Sequence, residues 1–266
     1  MEYKKITVVV ITYNQEDVIG RCLDSILCQK DFGLKDIIVC DDCSTDNNWE
    51  VVSKYKEAYP DYIRAYRNEP NKGIYGNQQH ALTYIEPTDL VLLCSGDDAL
   101  CPGYFETIQK FIVQNNITDF NERFVIYSDW KVSTPDFKEL PFYNNYISKG
   151  YNAVSLKLRQ LICNRSAIMS YPTIKSFYEV PINEGVSVAE NLFDSQVQIH
   201  SHKNYYCPFM GSIYYSGIGV STKMNTIPHI QNLILSYERL RDLGIYDKKD
   251  LFYIDYLICR LSYRRE

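Results

Sequence analysis

The stretch LVLLCSGDDALC, residues 90–101, decides how the rest of the chain is read. Leu90, Val91, Leu92 and Leu93 form a short, continuously apolar run, which predicts a strand buried on both faces of a mostly parallel sheet. The run stops at two adjacent carboxylates, Asp97 and Asp98. Just past the C-terminal end of a buried strand is where open α/β sheets usually place their ligands. Two neighbouring acids there repel unless something cationic lies beside them. Carboxylate oxygens are hard ligands suited to Mg²⁺ or Mn²⁺, ions that commonly keep waters while bridging to phosphates. The competing reading is a solvated Asp-Asp turn capping a helix that starts near Pro102.

Working outward, residues 6–11 are a β-branched run that predicts a first buried strand, ending in Thr12, Tyr13 and Asn14. From Glu16 onward, Ile19, Cys22, Leu23, Ile26 and Leu27 recur at i, i+3, i+4, i+7 and i+8, one apolar helix face. Residues 37–40 predict a second strand, closed by Asp41, Asp42, Cys43, Ser44, Thr45 and Asp46, which can cap a helix over residues 49–58. A third strand over 63–66 precedes a loop ending Asn71-Lys72-Gly73, and a helix over 74–84 leads into the central strand. A helix over 103–114 and a strand over 124–127 follow. This alternation predicts an α/β fold with a parallel, helix-flanked sheet. Residues 133–150, rich in Pro, Asn and Tyr with no period, predict a long loop. Residues 154–161 read as a helix, 165–169 as a strand, 188–200 as a polar, acidic helix, and 205–215 as a strand with Pro208 marking an edge or bulge. The tail reads as two helices parted near Gly244. In the second, Leu251, Ile254, Ile258 and Leu261 share one face, with Arg260, Arg264 and Arg265 nearby.

With 266 residues the chain can bury a sizeable core. No Pro/Gly/Ser-rich linker interrupts it, which predicts one domain over residues 1–225 and a helical C-terminal extension over 226–266. A net charge of −5 argues against a nucleic-acid partner held by bulk electrostatics. The 24 tyrosines are mostly half-buried packing groups. Of nine cysteines, Cys22, Cys40, Cys94 and Cys163 lie in apolar segments, as small hydrophobes do, which points to a reducing cytoplasm. Cys40 and Cys43 form a CxxC without a second CxxC or histidines at ligand spacing, against a zinc site. The start of the chain runs straight into a strand with no signal-peptide pattern, and no apolar run approaches the ~20 residues of a membrane span. In that compartment the sequon Asn164-Arg165-Ser166 carries no meaning.

Four pieces in order, VVVITYNQEDVIGRCLDSILCQ (8–29), DIIVCDDCSTDNN (36–48), the NKG loop (71–73) with its helix, and LVLLCSGDDAL (90–100), resemble the inverting GT-A glycosyltransferases. That large family uses nucleotide-diphosphate sugars and is typical of bacterial polysaccharide synthesis. The resemblance is close over residues 1–105 and loose beyond. It implies a GT-A, Rossmann-like sheet with a nucleotide-binding half over 1–105 and an acceptor-side half over 106–225. It also implies that Thr12, Tyr13 and Asn14 line the nucleotide pocket, with Asp41, Asp42 and Gly73 beside them. Asp42 would reach the base or ribose, Asp97 would approach the ribose, and Asp98 would hold Mn²⁺ or Mg²⁺ against both phosphates. Cys43 stands where the family usually carries glycine, which implies a different backbone there. The family opens a helix in its second half with Glu-Asp, and this chain offers Glu190-Asn191. Glu190 is then the base for the acceptor hydroxyl, with Asp194 one turn on as the runner-up. The plainer role for Glu190 is a charge at a helix N-terminus. Many members add a histidine near the last strand, where YYSGIGVST (214–222) has none, and His200 and His202 precede it.

The implied function is metal-dependent inverting transfer of a sugar to a saccharide or lipid-linked acceptor in the cytoplasm. The basic C-terminal helix could touch anionic lipid at the inner face of the membrane, with a solvated helix face as the plainer reading of its three arginines. Two other readings stand beside it. A non-catalytic nucleotide-sugar-binding scaffold on the same fold is kept open by Asn191 and the missing histidine. A nucleotidyltransferase would want a Gly-rich basic loop after the first strand, which TYNQED (12–17) lacks. The sequence sets neither the donor sugar nor the oligomeric state.

Overall fold

The computed structural model describes residues 2–136, 138–150, 163–177, 200–218, 227–244 and 246–263. The first half alternates as expected: β1 (Ile6–Thr12), α1 (Ile19–Leu27), β2 (Leu34–Asp41), α2 (Asn48–Ala58), β3 (Ile63–Arg67), α3 (Gly73–Leu82), β4 (Leu90–Ser95), a short β5 (Ala99–Leu100) and α4 (Tyr104–Gln114). Then come β6 (Phe124–Ser133), β7 (Glu139–Phe142), β8 (Ala167–Ser170), α5 (Tyr171–Phe177), β9 (Lys203–Tyr215), α6 (Ile227–Asp242) and α7 (Lys248–Ser262). The strands form one nine-stranded sheet in the order β3-β2-β1-β4-β8-β6-β9-β5, with β7 on β6.

Strands β3, β2, β1 and β4 are mutually parallel. Thr12 lies opposite Asp41 and Ile11 opposite Ser95, so the C-terminal ends of three adjacent strands are level. Parallel neighbours are about 4.8 Å apart, which puts the loops after β2 and β4 on either side of β1, about 10 Å from each other. The second half is mixed: β8 runs antiparallel to β4 and to β6, and β6 runs parallel to β9. The parallel character of the sheet thus belongs to the half in which helices make the crossovers.

Residues 133–150, expected as a loop, carry β7 and a 3₁₀ turn, Ile147–Lys149. All four β7 residues are exposed and one is proline, so the strand leaves no alternation of buried and wet positions to read. Pro208 does mark a bulge, since β9 skips from Cys207 opposite Ser128 to Met210 opposite Asp129. The helix expected over 154–161 and most of the one over 188–200 lie outside the described residues.

Alternate residues of β1 feed two cores. Val8 and Val10 pack with Ile19, Cys22, Leu23, Ile26 and Leu27 of α1, while Val9 packs with Ala81 and Leu82 of α3. All five α1 residues are buried, and each such aliphatic side chain contributes about 1.5–3 kcal/mol. Helices α6 and α7 form a hairpin with a small core of Tyr237, Leu240, Tyr246 and Ile254, tied to the rest through Tyr75 of α3. Among the described residues no helix is long and apolar enough to cross a membrane. None of the nine cysteines, all of them described, forms a disulfide.

Candidate functional site

At the ends of β1 and β2 the polar residues named from sequence interlock. Asp41 is fully buried; its carboxylate accepts from Asn48 Nδ2 at 2.6 Å and from the Ser44 backbone N–H at 2.9 Å. It thereby folds the turn after β2 onto the start of α2. Thr12 donates to Gln15 Oε1 at 2.8 Å, and Asn14 Oδ1 accepts from the Thr45 backbone N–H at 2.8 Å, joining the two loops. Asn14 and Cys43 both have left-handed backbones, at φ +52° and +63°. Cys43 therefore keeps the conformation a glycine would take, instead of the altered backbone expected, at a cost of roughly 1 kcal/mol. Tyr13 projects outward, 39% exposed.

Asp42 sits at the centre of the β2 end. Its Oδ1 accepts from Asn68 Nδ2 at 2.7 Å and from the Lys72 backbone N–H at 2.8 Å. Asn71 Nδ2 donates to its main-chain oxygen at 2.6 Å and Asn71 Oδ1 accepts from Gly73 N–H at 3.0 Å, so the Asn-Lys-Gly loop folds around this one acid. Gly73 begins α3 at φ +73°, a left-handed conformation that disfavours a side chain. Behind Asp42, Asn68 also contacts His80 Nδ1, and Tyr84 contacts His80 Nε2 at 3.0 Å.

Across β1, the turn after β4 is pinned by Gly96 N–H donating to the Ile11 carbonyl and Asp98 N–H to the Ser95 carbonyl. A Cβ on Gly96 would lie 2.5 Å from Gln15 Oε1, 2.9 Å from Ile19 Cδ1 and 3.0 Å from Thr12 Cβ, so a larger residue there would force these side chains to move. Asp97 is half-buried, and Arg21 Nη2 donates to its main-chain oxygen at 2.7 Å. Asp98 is 6% exposed, and its Oδ2 accepts from Arg165 Nη1 at 2.9 Å. Burial raises the Asp98 carboxyl from its ordinary 3.8 to about 7; Arg165 opposes the rise and Asp97 adds to it. Desolvation therefore outweighs the ion pair. Burial likewise raises Asp97, against the pull of Arg165 and Arg21. Asp98 Oδ1 is buried with no well-formed hydrogen bond, the Tyr215 N–H being the weakest of the pulls on this carboxyl.

That orphaned hard oxygen fits a divalent cation. Among the described residues no three His, Cys, Asp or Glu side chains converge, so phosphate and water would supply most of such an ion's ligands. His202 is occupied elsewhere, facing the Arg123 guanidinium at 2.5 Å. Glu190 and Asp194 lie outside the described residues.

Two arginines escaped the sequence reading. The Arg165 guanidinium lies 4.0 Å from the Tyr214 ring centroid and 5.6 Å from that of Trp130, and the Arg21 guanidinium 3.5 Å from that of Tyr215. Arg21 Nε is buried and unpartnered. Each reaches the acidic turn from a segment distant in sequence, so no local spacing announces it.

The model of the family described as glycosyl transferase family 2 matches residues 7–168, from β1 into β8. The chain belongs to glycosyl transferase family 2. Its fold is that of the GT-A glycosyltransferases: S. aureus TarS 1–349 in complex with UDP-GlcNAc superposes with a TM-score of 0.64 at 17% identity, over 98% of this chain and 72% of that one. The mannosyltransferase PcManGT from Pyrobaculum calidifontis, in complex with GDP-Man and Mn²⁺, gives 0.64 at 15% identity, over 100% and 73%. In sequence, the Escherichia coli UDP-Glc:alpha-D-GlcNAc-diphosphoundecaprenol beta-1,3-glucosyltransferase WfaP is 25% identical over 207 residues, 74% of this chain and 78% of WfaP. The first curated relatives are longer, and the match spans only 26% to 38% of their length.

Proposed function

We propose that this family 2 chain is a metal-dependent, inverting glycosyltransferase. It would move a sugar from a nucleotide-diphosphate donor to a saccharide or lipid-linked acceptor in the building of a surface polysaccharide. The observation that carries the reading is the buried, unsatisfied Asp98 Oδ1 at the end of β4, level with the polar cluster at the ends of β1 and β2. The proteins of like fold add support, since they were captured with UDP-GlcNAc and with GDP-Man and Mn²⁺. The diphosphoundecaprenol in the name of WfaP supports a lipid-linked acceptor. Such an acceptor would be met by a peripherally bound enzyme at the inner face of the cytoplasmic membrane.

On this reading residues 1–225 are the catalytic domain, with nucleotide and acceptor halves meeting near residue 105, and residues 226–266 are an accessory extension. Asp42, its Oδ1 already engaged, turns Oδ2 to the base or ribose, while Asp41 holds the loop that carries it. Thr12, Tyr13, Asn14 and Gly73 shape the same pocket, and Asp97 approaches the ribose. Asp98 Oδ1 would hold Mn²⁺ or Mg²⁺, which supplies Lewis-acid charge at the diphosphate leaving group. Arg21 Nε, with no partner of its own, would donate to a phosphate oxygen. Glu190 accepts the proton of the acceptor hydroxyl as that oxygen attacks the anomeric carbon opposite the diphosphate, with Asp194 as the alternative base.

The test is a thermal-shift titration with UDP, GDP and their sugars, with and without Mn²⁺. A nucleoside diphosphate should raise the melting temperature by mass action in a metal-dependent way. Asp98→Ala should abolish that dependence in a folded protein. Undiminished metal-dependent stabilisation of Asp98→Ala would refute the metal assignment, and donor binding without turnover on any acceptor would favour the scaffold reading.

A further inference from the structure

Helix α7 has two apolar faces of different kinds. Leu251, Ile254, Leu257, Ile258 and Leu261 pack into the hairpin core against α6. On the opposite side Phe252, Tyr256, Cys259 and Tyr263 recur at i, i+4, i+7 and i+11, which is one stripe along a helix. The stripe is wet: Phe252 is 76% exposed, Tyr256 50% and Tyr263 77%, and Cys259 is exposed as well. Phe252 and Tyr263 are the two most exposed large hydrophobic side chains among the described residues.

The charges around this stripe are mainly basic. Lys248 and Lys249 lie on the same face at its start and Arg260 beside its end, all exposed. The acid at the rim, Asp255, lies 3.6 Å from Arg241 of α6 and is offset by it. The other acid of α7, Asp250, is buried on the far side. In the sequence Arg264 and Arg265 follow directly. Aliphatic side chains inward with aromatic and basic side chains outward is the composition of a helix lying in a lipid–water interface. Rings sit there at headgroup depth and long basic side chains reach the phosphates.

We infer that the outward face of α7 is a docking surface for an anionic lipid bilayer, with Phe252, Tyr256 and Tyr263 entering the headgroup layer and Lys248, Lys249 and Arg260 meeting lipid phosphates. The inference deepens the reading of the chain as an enzyme of a membrane-borne acceptor and supplies the surface that reading requires. Because the hairpin is packed on Tyr75 of α3, just after the Asn-Lys-Gly loop, docking would hold the nucleotide half at a fixed attitude to the membrane.

The experiment is co-sedimentation of the purified chain with phosphatidylcholine vesicles and with vesicles containing phosphatidylglycerol, with the UDP–Mn²⁺ thermal shift measured on every variant. The wild type should sediment with the anionic vesicles only, and less as salt is added. Neutralising Lys248, Lys249 and Arg260 to Gln together should weaken binding by roughly a hundredfold. The double change Phe252→Ser and Tyr256→Ser should weaken it about tenfold or more while the thermal shift is unchanged. Failure to bind anionic vesicles, or equal binding by the aromatic variant, would overturn the inference. So would a concentration-dependent dimer in light scattering that the aromatic variant loses, since the face would then belong to a second copy. A wild type that binds vesicles but gives no nucleotide shift would refute the glycosyltransferase reading and leave the docking surface standing.

Discussion

The buried carboxyl of Asp98 makes the stability of the ligand-free protein depend on pH in a direction opposite to most acidic groups. Its folded value of about 7 lies above the ordinary 3.8, so between these limits the native state holds a proton that the unfolded chain has released. Stability from this group is therefore present at low pH and lost as pH rises through that window. A shift of about three units corresponds to roughly 4 kcal/mol in full, of which about 2–3 kcal/mol falls between about pH 5 and pH 8. Replacing Asp98 by Asn keeps the shape and an acceptor for Arg165 and removes the ionisation. The assay is urea denaturation of wild type and Asp98→Asn at several pH values in the presence of a chelator. Asp129, also raised by burial, contributes equally to both proteins, so the difference between the two curves reports Asp98 together with its coupling to the neighbouring Asp97. The variant should gain on the wild type by about 2–3 kcal/mol from low to high pH. Parallel pH profiles would show that Asp98 is already ionised at little cost, with Arg165 outweighing desolvation, and the argument that this oxygen wants a metal would lose its physical basis.

Asp42→Ala should weaken nucleotide binding by about 1–3 kcal/mol in calorimetric titration while leaving the metal response intact, and unchanged affinity would move Asp42 out of the pocket. Gly96→Ala should destabilise the protein by roughly 1–3 kcal/mol in chemical denaturation, because its Cβ would press on Gln15, Ile19 and Thr12 at once. Wild-type stability in that variant would mean the β4 turn is looser than its contacts indicate. Glu190→Gln should lower turnover roughly 10²–10⁴-fold with little change in donor affinity, and Asp194→Asn should do less. The reverse ranking with the true acceptor would give the role to Asp194, and no loss from either change would remove the base from this segment.

The sequence by itself determined the parallel first half of the sheet. The β-branched runs of β1 and β2, the apolar face of α1 and the Asp97-Asp98 pair after β4 are local signals, because strand burial and helix periodicity are written within a few residues of themselves. Level strand ends then follow from parallel pairing, so the acids could be placed together before any contact was known. What only the tertiary structure decided is which residues meet those acids. Arg165 is 67 positions from Asp98 and Arg21 is 76 from Asp97. They arrive because β8 is inserted beside β4 and because α1 packs under the turn, and sheet order is a global choice that no short window records. β7 stayed hidden for a related reason: every side chain is exposed, and its pairing with β6 adds to the backbone ladder only cross-strand contacts, Phe142 stacked on Trp130 and Glu139 paired with Lys131, that no short window records. In α7 the periodicity named the aliphatic face that packs inward, yet only the packed hairpin showed that Phe252, Tyr256 and Tyr263 remain in water, since burial depends on what else the fold brings to cover them.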